Sequence, residues 1–93
     1  MVVGICTIHI HLPLSHSLKD KRRIVRSLKD RLRGRHNISL AEVDYQDLWQ
    51  RAALGIAAVA DGRRPLERLF EIIRADVEMH VPGEILGWET DYV

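Results

Sequence analysis

No internal disulfide is open to this chain, because Cys6 is the only cysteine among its 93 residues. A lone thiol fits a reducing cytoplasm, where structural disulfides are rare. No apolar run approaches the roughly 20 residues needed to cross a bilayer, so no membrane partner is expected. The opening "MVVGICTIHIHLP" lacks the charged n-region and A-x-A-like cleavage site of a secretory signal, so the expected location is cytoplasmic. Rings are scarce, and the segment "LGIAAVA" has none where an RRM would carry its RNP1 aromatics. No G-x-x-G occurs either, which excludes the KH backbone clamp. No nucleophile–base signature stands out, so no catalytic residue and no cofactor are assigned.

Charge is present in quantity and unevenly placed. The stretch "SLKDKRRIVRSLKDRLRGRH", residues 17 to 36, holds nine basic residues against two acidic ones, a local balance of +7. The rest of the chain holds five basic residues against eleven acidic, a balance of −6. Such asymmetry within one small protein points to an electrostatic surface with a partner or an orientation to choose.

The composition, 46% hydrophobic and 29% charged, is that of a single globular domain over residues 1–93. Val2, Val3, Ile5, Thr7, Ile8 and Ile10 form a β-branched and apolar run that Pro13 closes, which predicts a first strand. Ser17 followed by Asp20 reads as a helix N-cap with a weak capping box. Leu18, Val25, Leu28 and Leu32 then recur at helical spacing, and Gly34 marks the expected stop.

Residues 38 to 62 pull two ways. Propensity favours a helix through Ala53. The period-2 pattern of Ile38 and Leu40, then Leu54, Ile56 and Ala58, favours a hairpin broken by "DYQD", and the hairpin is preferred. "ADGRRP" is a loop, and Pro65 suits the first turn of a second helix with Leu66, Leu69, Phe70, Ile73 and Val77 as its apolar stripe. "VPG" ends that helix, and "EILGWETDYV" alternates as a last strand. The order βαββαβ implies an α+β, ferredoxin-like sandwich: a largely antiparallel four-stranded sheet with two helices on one face.

On the first helix, at about 100° per residue, Lys19, Arg22, Arg23, Arg26, Lys29 and Arg33 share an arc of roughly 120° that only Asp30 interrupts. Such a stripe attracts phosphates, since each neutralised phosphate releases condensed counterions, and arginine forks suit phosphate oxygens. The alternative is a solvated helix face whose cations serve only as good helix formers. If nucleic acid is the partner, contacts go to phosphate and shape, which makes rigid, structured RNA the target.

Other residues carry weaker signals. Lys21 projects toward the apolar arc, either as a snorkelling stem or as a functional lysine at the rim. His9 and His11 lie two apart on one strand face, a spacing that can begin a metal site, but two ligands do not complete one and no metal is assigned. Glu42, Asp44 and Asp47 surround the hairpin turn and are explained by turn chemistry and pairing with Arg51. Cys6 lies in an apolar strand and reads as a buried hydrophobe. Trp49 and Arg51 alternate with Leu54 and Ile56, which predicts them on the helix-free sheet face, with Trp88 beside them. Tryptophan beside arginine there has the composition of an interface core and suggests a homodimer.

The segment "SLKDKRRIVRSLKDRLRGRHNISLAEVDYQDLWQRAALGIAAVA", above all "SLKDKR" and "AEVDYQDLWQRAALG", resembles the YlxP-like family of small bacterial proteins. The likeness runs from the first strand through most of the second helix and is loose over the last strand. It implies a ferredoxin-like fold and supports the hairpin. It brings no accepted activity and no catalytic residues. Genes of such proteins often stand beside those for transcription, translation-initiation and ribosome-maturation factors, which implies, by association, contact with RNA or the ribosome. The expected function is therefore a non-enzymatic RNA- or ribosome-associated module, with protein interaction through the free sheet face as the alternative.

Overall fold

The computed structural model describes residues 1–93. Its elements are β1 (Val2–His11), α1 (Leu18–Arg35), β2 (Ser39–Asp44), β3 (Arg51–Ala60), α2 (Arg63–His80) and β4 (Glu84–Tyr92). The sheet order is β2-β3-β1-β4, and every neighbouring pair is antiparallel. This is the ferredoxin-like α+β arrangement expected from the sequence, and the hairpin, not a central helix, occupies the middle.

Local chemistry sets the ends of α1. Ser17 is extended, and its hydroxyl accepts the Asp20 N–H at 3.0 Å. Gly34 does not stop the helix, contrary to the expectation from the sequence; it stays helical, and His36 is the cap, donating its N–H to the Leu32 carbonyl at 3.0 Å. The second helix starts two residues ahead of Pro65, which is tolerated because the first-turn N–H groups have no intrahelical partner.

One core fills the space between sheet and helices. Cys6, Ile8, Ile10 and Leu12 from β1 and its end meet Leu54 and Ile56 from β3, Leu28 and Leu32 from α1, and Phe70, Ile73 and Val77 from α2. The α1 helix leans on β2 and α2, while α2 lies across β1, β3 and β4. The basic helix therefore lies toward the β2 edge. The opposite edge strand, β4, carries Glu84, Glu89 and Asp91. The positive surplus thus belongs to α1 itself, since β2 beside it carries Glu42 and Asp44 much as β4 carries its own acids. Gly83, just before β4, leaves room for close backbone approach, since a Cβ there would collide with the His11 carbonyl.

Candidate functional site

Of the six stripe residues, Lys19, Arg22, Arg23, Arg26 and Arg33 are exposed and Lys29 is half-buried. Five of them, Lys19, Arg22, Arg26, Lys29 and Arg33, follow a 3-4-3-4 spacing and stack along one face, about 21 Å from end to end. None of those five has a carboxylate within ion-pair distance, whereas Arg23, Arg31, Arg63 and Arg74 are all paired. Arg33 donates to the Leu40 carbonyl at 2.6 Å, which ties the end of the stripe to β2. Arg23 stands apart, 3.4 Å from Asp20 on the side toward α2.

Lys21 is the residue the sequence undersold. It is 1% exposed. Its ammonium donates to the carbonyls of Tyr45 at 2.6 Å, Gln46 at 3.1 Å and Arg51 at 3.3 Å. With its three N–H groups so used, it meets Glu42 Oε2 at 3.0 Å as an ion contact, and that oxygen has no hydrogen bond of its own. Lys21 is thus neither snorkelling nor a rim lysine; it fastens the β2–β3 turn to the first turn of α1. Glu42 is its partner and not one for Arg51.

A second network joins the helices, and no motif announced it. Asp76 on α2 accepts from Arg31 at 2.9 Å and contacts His80 at 3.0 Å, with His36 at 3.6 Å. Burial alone would raise its carboxyl pKa, but the Arg31 hydrogen bond and charge, with Arg35 and His80, outweigh burial and hold it below its ordinary value. A folded-state value below the unfolded one, about 4, contributes stability at higher pH that is lost as pH falls through the folded value. Asp76→Asn should therefore cost about 2 kcal/mol at pH 7, the worth of a hydrogen bond to a charged group. The melting-temperature gap from the unaltered protein should close below about pH 4; thermal melts at both pH values check it. The one available signal was the position of Asp76, on the flank of the apolar stripe through Leu69 and Ile73 and one turn before His80.

A recess of 490 Å³ lies between α1 and the end of α2, floored by Ile24 and Leu28 and walled by Arg23, Arg31 and His80. Asp76 already engages Arg31 and His80, and Asp20 engages Arg23, so the recess holds little spare charge. It is separate from the five-residue stripe.

The predicted interface residues are not brought together. Trp49 is not in a strand: β3 begins at Arg51, and Trp49 stands in the turn before it, 54% exposed. Arg51 lies opposite His11 on the helix-free face, with its guanidinium 4.6 Å from the Tyr45 ring centroid. Trp88 lies opposite Ile8, which places it on the helix-covered face, half-buried, with the Arg74 guanidinium 5.3 Å from its ring centroid. The helix-free face does present exposed Ile5, Val43 and Val59. A shallow apolar depression of 450 Å³ there runs over Ala41, Gly55 and Ala57.

His9 and His11 do share that face, but each pairs with a glutamate across the sheet, Glu89 at 3.1 Å and Glu84 at 3.2 Å. No three or more His, Cys, Asp or Glu side chains gather in a geometry that could hold a metal ion. Burial pushes the Cys6 thiol up to about 12, despite the nearby Arg74 charge, so it is protonated at neutral pH. Asp44 accepts from the Tyr45 N–H at 2.8 Å, as turn chemistry requires. No helix is long and apolar enough to cross a membrane.

Comparison with known proteins agrees with this picture of a fold without a declared chemistry. Over 62 residues the chain is 37% identical to the "Uncharacterized protein YlxP" of Bacillus subtilis (strain 168), an alignment covering 67% of each protein. The family described as "Protein of unknown function (DUF503)" matches residues 3–90, from the first strand into the last. The chain belongs to the DUF503 family.

Proposed function

We propose that this protein is a non-enzymatic, cytoplasmic RNA-binding module that holds structured RNA, free or in the ribosome, by its phosphates along α1. The observation that carries the reading is the five-residue stripe, exposed or half-exposed, at helical spacing and without a carboxylate partner. A merely solvated face in a protein with 13 acidic residues would be expected to find some of them. Here carboxylates pair with Lys21, Arg23, Arg31, Arg63 and Arg74; Arg35, Arg51, Arg64 and Arg68 are unpaired too, but only this row stacks five such cations along one helix face. Such a row suits backbone contact and gives low sequence preference.

The test is fluorescence anisotropy with a labelled RNA hairpin, single-stranded RNA and duplex DNA. A Kd of about 1–100 µM or tighter for the hairpin at near-physiological salt is expected. Failure to bind any of the three sinks the reading.

The exposed Ile5, Val43 and Val59 favour a second reading, self-association through the helix-free face. Sedimentation should then show a dimer that Ile5→Lys dissociates, while charge reversal on α1 leaves it intact.

A further inference from the structure

Trp49 is the one aromatic residue without an aromatic or guanidinium partner. Phe70 packs on Tyr92, Tyr45 meets His9 and Arg51, and Trp88 meets Arg74. Trp49 stands on the β2–β3 turn next to exposed Leu48, beside a shallow recess of 390 Å³ lined also by Asp47, Gln50 and Arg51.

A large ring left in water on a floppy loop would mean little. This turn is not floppy. Three of its boundary carbonyls are gathered by the Lys21 ammonium. The Gln50 amide donates to the Pro13 and Ser15 carbonyls at 3.2 and 3.1 Å, and the Leu12 N–H donates to the Gln50 carbonyl at 2.8 Å. Tyr45 is held at φ 62°, a left-handed conformation that costs a non-glycine residue free energy, with the Arg51 guanidinium over its ring. So much fastening around a strained residue serves to hold one geometry, and what that geometry displays is Trp49.

The display is placed beside the basic stripe. Arg33, near the C-terminal end of α1, reaches the Leu40 carbonyl early in β2, and Lys21, in its first turn, reaches the Tyr45 carbonyl just past the end of β2, so the end of the helix that carries Lys19 and Arg22 is the end at the β2–β3 turn. Phosphate held along α1 therefore runs toward the turn. The turn itself offers an apolar ring and the Asp47 carboxylate, which repels phosphate. What suits it is the face of a base.

We infer that Trp49 is a stacking platform for an unpaired base at the end of the phosphate-holding stripe. This rests on the RNA-binding reading and narrows its ligand to a paired helix carrying a bulged or flipped-out nucleotide. Aromatic side chains stack on any base face, so the preference is for an unpaired base, not a sequence.

The probes are a perfectly paired RNA duplex and the same duplex with a one-nucleotide bulge. The variant Trp88→Phe leaves Trp49 as the only tryptophan reporter. The bulged RNA should bind about tenfold more tightly and quench Trp49 emission. Trp49→Ala, once its circular dichroism is shown to match, should erase that preference while leaving affinity for the paired duplex unchanged. Equal binding of both RNAs by the unaltered protein overturns the inference and spares the RNA reading. A uniform loss on Trp49→Ala overturns it too. So does an intact bulge preference in Trp49→Ala accompanied by loss of self-association, which would make Trp49 a protein contact. Binding to neither RNA brings down the RNA reading first.

Discussion

Lys21→Met should lower the melting temperature by on the order of 20 °C. Methionine matches the length of the stem and keeps its burial, so the effect isolates the ammonium. Removing that charge leaves the Tyr45, Gln46 and Arg51 carbonyls without their donor and the Glu42 carboxylate without its counter-charge. Breaking a buried ion pair by deleting one partner costs about 3–5 kcal/mol, because the survivor stays buried and uncompensated. Lys21→Arg should rescue little, since a planar fork cannot take the place of a point charge among three converging carbonyls. Adding Glu42→Leu to Lys21→Met should recover part of the loss by removing the stranded carboxylate, but not the part that belongs to the carbonyls. Thermal melts of the four proteins check this, and a Lys21→Met loss below about 1 kcal/mol would show that water reaches the turn.

The double reversal Arg22→Glu/Arg26→Glu should weaken binding to an RNA hairpin by on the order of 100-fold with little change in melting temperature. Both side chains are exposed and neither has a carboxylate in reach, so the fold loses no contact. The complex loses two charge-assisted contacts and gains two repulsions at the middle of the stripe. Reversing Arg63 and Arg74 instead provides the control, because each already pairs with a glutamate one turn away on α2, at 2.9 and 3.1 Å. That control should leave RNA affinity within about threefold.

Much of this architecture was legible from pattern alone, because its signals are local. Ser17 and Asp20 announce the start of α1, and the apolar stripes of both helices fall where the core is. In the middle of the chain, propensity and periodicity disagreed, and the alternation of Leu54, Ile56 and Ala58 prevailed because those side chains face the core from a central strand.

The misplacements have physical causes. Extending the alternation against Leu54 and Ile56 back through Arg51 to Trp49 carries Trp49 into a strand that begins only at Arg51. Trp88 changes face because the β1–β4 register shifts between His9 and Ile10: Ile85 and Trp88, three apart, both pair with inward residues. A single bulged residue inverts the parity of everything beyond it. Lys21 was hidden for another reason. Lysine is rarely buried, and three main-chain carbonyls have no side-chain signature by which a sequence could name them. The basic stripe was visible in the sequence; its lack of carboxylate partners was not, since pairing depends on which acids the fold brings near.

The most direct measurement is the salt dependence of hairpin binding from about 50 to 200 mM, for the unaltered protein and for Arg22→Glu/Arg26→Glu. Four or five phosphate contacts require the logarithm of the association constant to fall against the logarithm of salt with a slope of about −3 to −4, and the double variant should flatten it by about 2. A slope near zero, or the same slope in both proteins, would show that α1 is not the surface that holds the RNA.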